Sequence, residues 1–185
     1  NRNIVLMKSK DLIHWSHSLL RVNECKGFEN IGCAWAPEML WDEKRQAVMM
    51  YWTTRFGRGD NKVYYAYMDK DFTKFVTEPK LIFEKPEGKP VYIDSDIIQG
   101  NDGRYYMHYV SYDGGVSGIK LAVADSPTGP YTYLPDYVDQ EPKACEAPNC
   151  WKRTGTDTYV LMYDCFGIVP PNFSFLETTD FKTYT

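Results

Sequence analysis

The stretch Ser9-Lys10-Asp11-Leu12-Ile13-His14-Trp15 recurs along this chain of 185 residues. A second copy occupies residues 69–75, a looser third copy occupies residues 124–131, and a last copy occupies residues 178–184. The intervals between the aspartates of successive copies are 60, 54 and 55 residues, measured between Asp11, Asp71, Asp125 and Asp180. A period of this size indicates one supersecondary unit that is stacked on copies of itself.

Each interval of the repeat contains four parts in the same order. An apolar segment with an acidic residue is followed by a polar turn, an aromatic strand and a further strand that leads into the recurring phrase. In the middle interval these parts are residues 92–98, 100–103, 105–110 and 119–123. The turn Asn101-Asp102-Gly103 is typical of a hairpin, because Asn and Gly tolerate positive φ. The strands are rich in Tyr, Val and Ile, and helical periodicity is absent.

This order predicts an all-β fold, a β-propeller with three complete four-stranded blades and part of another in this chain. The end of the first blade is placed at residues 1–20, the second blade at 33–84, the third at 91–137 and the fourth at 144–185, all in one propeller domain. A β-sandwich also has many short strands, but it gives no reason for the same order three times. Because the chain starts inside a blade, we expect the missing blades to come from the rest of a longer chain or from another chain.

Composition narrows the function classes. A net charge of −4 and a pI near 5.4 argue against a nucleic-acid partner, since a phosphate backbone would be repelled. No run of 18 apolar residues exists to span a membrane. The five cysteines have no regular spacing, so Cys145 and Cys150 are interpreted as buried free thiols rather than metal ligands.

Three acidic residues, Glu38, Asp94 and Glu146, follow the repeat at intervals of 56 and 52 residues. Each lies on the first strand of its unit, and first strands line the central channel of a propeller. We therefore expect the three carboxylates at equivalent positions around one pocket. Carboxylates that approach one another there raise the pKa of one member, and glycosidic hydrolysis needs such a pair.

The motifs resemble those of glycoside hydrolase family 43. The resemblance rests on Trp35-Ala36-Pro37-Glu38, Tyr92-Ile93-Asp94, Glu146-Ala147-Pro148 and the recurring phrase, and it covers essentially the whole chain. It implies a five-bladed propeller and inverting hydrolysis of terminal arabinosyl, xylosyl or galactosyl linkages in plant-type polysaccharides or oligosaccharides.

The resemblance implies that Glu146 is the general acid and that Asp94 tunes its pKa. Where the family usually has Glu-Gly-Pro, this chain has Glu146-Ala147-Pro148. Trp35 is expected to stack on a sugar ring, and the alternative for it is an indole packed in the core. Glu38 is expected to line the pocket or to have a structural role. Weaker candidates are Asp96, on the same strand face as Asp94, and His108, which could equally be structural.

The resemblance also implies that the catalytic base is an aspartate on a strand preceding Asn1, so we expect these 185 residues alone to hydrolyse poorly. Two alternatives stay open: a non-catalytic carbohydrate-binding propeller, and a fructan-hydrolase-like glycosidase, whose Arg-Asp-Pro motif is missing here. No cofactor is required, and a structural calcium ion is left open. Since polymers do not enter cells, an extracellular or periplasmic location is expected, although the unpaired cysteines also fit the cytoplasm.

Overall fold

The computed structural model describes residues 2–84, 92–113, 115–139 and 144–185. Residue 91, where the sequence places the start of the third blade, lies outside the described residues. The chain divides into two compact units, Asn1–Leu81 and Ile82–Thr185. The strands are β1 (Ile4–Ser9), β2 (Trp15–Leu20), β3 (Ile31–Asp42), β4 (Ala47–Phe56), β5 (Lys62–Tyr67), β6 (Lys80–Glu84), β7 (Tyr92–Gln99), β8 (Tyr105–Ser111), β9 (Gly118–Ala124), β10 (Thr132–Asp139), β11 (Glu146–Lys152), β12 (Tyr159–Cys165) and β13 (Asn172–Thr178). One 3₁₀ turn occupies Val22–Glu24.

The first unit contains a hairpin of β1 and β2 and a four-stranded sheet in the order β3-β4-β5-β6, with the division between units falling inside β6. Alternation along β1 buries Ile4 and Leu6, and these side chains share one core cluster with Trp52 of β4. The fully buried Trp52 stacks on Phe75 with ring centroids 5.2 Å apart. Its indole N–H donates to the hydroxyl of Thr54 at 2.8 Å, so the buried polar atom is satisfied.

The second unit contains a four-stranded sheet in the order β10-β9-β8-β7 and a three-stranded sheet in the order β11-β12-β13. Every residue of β8 is buried, as expected for a central strand with both faces covered. Between the sheets, Tyr106 of β8 stacks on Phe181 at 4.0 Å and Tyr159 of β12 lies 4.6 Å from the same ring. These rings join the two sheets into one core.

The last sheet has one strand fewer than the sequence predicts. Its three strands are followed by a turn, after which Thr185 exchanges two backbone hydrogen bonds with Glu177 of β13, at 2.8 and 3.0 Å. In the described part of the chain, the segment after β13 therefore pairs with β13 only at Thr185, where a fourth strand was predicted.

The recurring phrase forms a turn whose second residue has a left-handed backbone. Leu12, Phe72 and Phe181, each directly after the repeated aspartate, have φ of 62°, 54° and 56°. Such a conformation is uncommon for residues other than Gly, so its recurrence shows that these three of the four copies share one turn conformation. At Phe181 the turn inserts an aromatic ring between the sheets of the second unit.

The carboxylate that holds this turn does not always come from the repeated aspartate. Asp11 accepts backbone hydrogen bonds from Ile13 and His14, and Asp180 accepts them from the two corresponding residues of the last copy. In the second copy Asp69, rather than Asp71, accepts the bonds, from Thr73 and Lys74. The repeat interval therefore does not identify the acceptor in every copy, because Asp69, two positions before Asp71, reaches the same N–H groups.

None of the five cysteines takes part in a disulfide bond, and Cys33, Cys145, Cys150 and Cys165 are buried while Cys25 is half-buried. The prediction of buried free thiols at Cys145 and Cys150 is confirmed.

Candidate active site

The first strands of three sheets share a bulge. On β3, β7 and β11 the register with the neighbouring strand shifts between Trp35 and Glu38, between Ile93 and Asp96, and between Glu146 and Asn149. The second residue of each bulge has positive φ, and these residues are Ala36 (45°), Asp94 (52°) and Ala147 (52°). Bulges of this kind turn side chains out of the regular alternation and are frequent beside active sites.

The bulges correct the predicted equivalence of Glu38, Asp94 and Glu146. Glu146 opens its bulge, Asp94 is the second residue of its own, and Glu38 follows the bulge. The three carboxylates thus leave their strands at three different positions. Sequence spacing alone could not show this, because a bulge changes the register without changing the repeat length.

Glu146 is the half-buried first residue of β11 and lies directly opposite Asp164 of β12. The pKa of its carboxyl is raised, first by burial and then by the charges of Asp94 and Asp164. A carboxyl with a raised pKa stays protonated closer to neutral pH, which is what a general acid requires.

Asp94 lies beside Glu146 because β7 packs against β11 within the second unit. Burial raises the pKa of Asp94, while a hydrogen bond from the backbone N–H of Ala147 acts in the opposite direction by favouring the ionised form. The structure therefore brings together Glu146 and Asp94, which the sequence predicts as the acid and the pKa-tuning carboxylate. The hydrogen bond from the N–H of Ala147 also fixes Asp94 to the residue that follows Glu146.

Asp96 and His108, the two weaker sugar-binding candidates, face each other across β7 and β8 and are buried. The Asp96 carboxylate accepts a hydrogen bond from the backbone N–H of Cys150. His108 Nε2 lies 2.9 Å from the hydroxyl of Tyr184, and complete burial lowers its pKa to about 3. In this structure both side chains serve the packing of the second unit and present no open surface to a sugar, so neither is included in the site proposed below.

Trp35 and Glu38 belong to the first unit. Trp35 is 38% exposed, with the guanidinium of Arg55 5.2 Å from its ring centroid. Glu38 is half-buried, and burial raises its pKa. The exposed indole suits the stacking role predicted for Trp35. That role and the pocket-lining or structural role of Glu38 stay predictions.

Two residues near the carboxylate pair were missed from the sequence. Tyr112 follows β8, and the pKa of its phenol is raised by burial and by the charges of Glu146 and Asp94. Asp164 lies at the end of the aromatic strand β12. The pairing of Asp164 with Glu146 cannot be obtained by matching residues one by one along β11 and β12, because the bulge after Glu146 shifts the register.

Among the described residues there is no group of three or more His, Cys, Asp or Glu that could hold a metal ion. No helix in the part of the chain that the structure describes is long and apolar enough to cross a membrane.

Comparison with solved structures finds this fold in glycoside hydrolases. An exo-β-1,3-galactanase from Clostridium thermocellum is similar with a TM-score of 0.72 and 19% identity, over 97% of this chain and 40% of that chain. An endo-arabinase from Bacteroides thetaiotaomicron VPI-5482 is similar with a TM-score of 0.65 and 14% identity, over 94% of this chain and 69% of that chain. A family 117 glycoside hydrolase from Zobellia galactanivorans is similar with a TM-score of 0.66 and 18% identity, over 82% of this chain and 53% of that chain.

At these identities the likeness shows the fold, and the chain spans between 40% and 69% of the length of these proteins. The predicted class, an all-β propeller of the glycoside hydrolase type, is confirmed. A family model described as a probable glycosyl hydrolase domain, in the group related to family 43, matches residues 1–185. The chain belongs to this family of glycosyl hydrolase domains. No curated protein matches the sequence.

Proposed function

We propose that this chain is part of an inverting glycosidase that removes terminal arabinosyl, xylosyl or galactosyl units from plant-type polysaccharides or oligosaccharides. The observation that carries the proposal is the half-buried carboxyl of Glu146, held beside the carboxylates of Asp94 and Asp164. Because polymers do not enter cells, an extracellular or periplasmic location accompanies the proposal.

In the proposed reaction the protonated Glu146 gives its proton to the glycosidic oxygen as the bond from that oxygen to the anomeric carbon breaks. A water molecule attacks the anomeric carbon from the opposite face, and an ionised carboxylate takes the proton that the water loses. Asp94 keeps its place through the N–H of Ala147, and its negative charge makes ionisation of Glu146 less favourable.

The sugar class is supported by the family and by what the similar structures are named for. These include an endo-arabinase, an exo-β-1,3-galactanase and an α-L-arabinofuranosidase, so pentosyl and galactosyl groups are the first substrates to test. We further propose that the exposed indole of Trp35 stacks on a sugar ring, since flat apolar sugar faces suit aromatic side chains.

In the complete enzyme, the test compares Glu146→Ala with the native sequence on aryl glycosides with good and poor leaving groups. Loss of a general acid costs roughly 10²–10⁴-fold in rate on a poor leaving group and much less on a good one, which departs without protonation. Asp157→Asn, at a carboxylate whose side chain is 84% exposed, is the matched control and should leave both rates unchanged. Equal losses on both substrates would contradict the acid role, and binding of glycans without turnover would favour a carbohydrate-binding domain.

A further inference from the structure

Asp164 is a carboxylate to which the proposed mechanism gives no separate role. It is directly opposite Glu146 in the antiparallel pair of β11 and β12. Residues in that relationship project from the same face of the sheet, with Cβ atoms about 4.5–5.5 Å apart. Asp164 is half-buried, so solvent screens its charge only in part.

The other groups that face Glu146 do not neutralise this charge. β7 contributes Asp94, which adds a negative charge, and the segment after β8 contributes the phenol of Tyr112, which carries no positive charge. Within the described residues no Lys, Arg or His lies at ion-pair distance from Glu146, and Phe173, which pairs with Asp164 on β13, is uncharged. The buried ammonium of Lys120 on β9 is held by Asp113 at 2.7 Å.

Two carboxylates placed directly opposite in a sheet repel each other and destabilise the pairing. Such an arrangement brings the folded protein no gain when both groups are ionised, and the repulsion is relieved when one of them is protonated. Glu146 is the member that also borders Asp94, so a second negative charge opposes its ionisation further.

We propose that Asp164 is a positioning residue of the active site, a second negative charge that acts through Glu146 and keeps the general acid protonated before substrate arrives. The direction of the raised pKa of Glu146, to which Asp164 contributes after burial and Asp94, agrees with this geometry. The inference rests on the proposed role of Glu146 as the acid.

The variant Asp164→Asn removes the charge and preserves the shape, and Asp164→Glu restores the charge. In protein labelled with ¹³C-glutamate, the Glu146 carboxyl signal, assigned with Glu146→Gln, should titrate at lower pH in Asp164→Asn and near the native pH in Asp164→Glu. The alkaline limb of kcat/KM should move down with it, and the rate at a fixed pH above that limb should fall about threefold, the effect of one screened charge at this separation. Asp157→Asn serves as the control for a carboxylate of the same hairpin.

A purely structural Asp164 would lower Tm on substitution and leave the Glu146 titration in place. The proposal requires the opposite, a Tm that is unchanged or higher together with a shifted titration. An identical Glu146 titration in native protein and Asp164→Asn overturns it. If the titration shifts while Glu146→Ala slows good and poor leaving groups equally, the electrostatic coupling stands and the acid role of Glu146 fails.

Discussion

The buried carboxylate of Asp96 on β7 accepts a hydrogen bond from the backbone N–H of Cys150 on β11. This contact joins the two sheets of the second unit through β7 and β11, the strands that also carry Asp94 and Glu146. Asp96→Ala should lower the free energy of unfolding by about 1–3 kcal/mol, because a buried N–H loses its acceptor. Asp96→Asn keeps an acceptor oxygen and should cost less. Urea unfolding measures both values.

The same pair of variants separates this packing role from the sugar-binding role that the sequence predicted for Asp96. If Asp96 only joins the sheets, KM and kcat of the folded enzyme stay at the native values. A large rise in KM with native stability would instead return Asp96 to the substrate site.

His108 should make the protein less stable in acid. Its pKa is about 3 in the folded state because it is completely buried, against an ordinary value near 6.5 when unfolded. The unfolded state therefore binds more protons between these values. The contribution of His108 to stability is fully present above pH 6.5 and falls as pH drops toward 3, with a slope of up to about 1.4 kcal/mol per pH unit.

Unfolding free energies of native protein and His108→Gln between pH 4 and 7 check this expectation. The variant should be less stable at pH 7, where the packing and the Tyr184 contact are lost, and its stability should depend less on pH. Parallel pH profiles for the two proteins would contradict it. His17, for which the fold shows an exposed strand position, supplies the control variant His17→Gln.

Ala147 occupies a backbone conformation that suits glycine better. Its φ of 52° is left-handed, a region that costs an L-residue roughly 1–2 kcal/mol, whereas glycine pays about 0.5–1 kcal/mol in conformational entropy. Ala147→Gly should therefore be neutral or stabilise by up to about 1.5 kcal/mol. This also gives a physical reason for the Glu-Gly-Pro that the resemblance leads one to expect at residues 146–148.

Ala122→Gly, in the fully buried central part of β9 at ordinary φ, is the matched control and should destabilise the protein. Thermal unfolding of the two variants gives the comparison. Destabilisation of similar size at both positions would show that the backbone at Ala147 is not strained.

The sequence predicted the fold from the repeat and named Asp94 and Glu146, because the repeat length and the short motifs are local properties. It could not predict the register at the bulges, which depends on how β11 pairs with β12 and therefore on contacts that are distant in sequence. For that reason Glu38, Asp94 and Glu146 were wrongly predicted to occupy equivalent positions, and Asp164 was missed although it pairs directly with Glu146. The burial of His108 was also hidden, since the ring that covers it, Tyr184, lies 76 residues away.

Asp94→Asn should change the pH dependence of hydrolysis as well as its rate. The negative charge of Asp94 raises the pKa of Glu146, so its removal lets the acid ionise at lower pH. The alkaline limb of kcat/KM should then move to lower pH, and kcat on a poor leaving group should fall by roughly tenfold or more, since the acid is less often protonated. The Asn side chain can still accept the N–H of Ala147, which limits structural damage. Because Asp102→Asn removes an exposed carboxylate from the turn that follows the same strand, it tests whether any loss of charge nearby has this effect. An unmoved alkaline limb in Asp94→Asn, with the fold intact by circular dichroism, would show that Asp94 does not tune the acid.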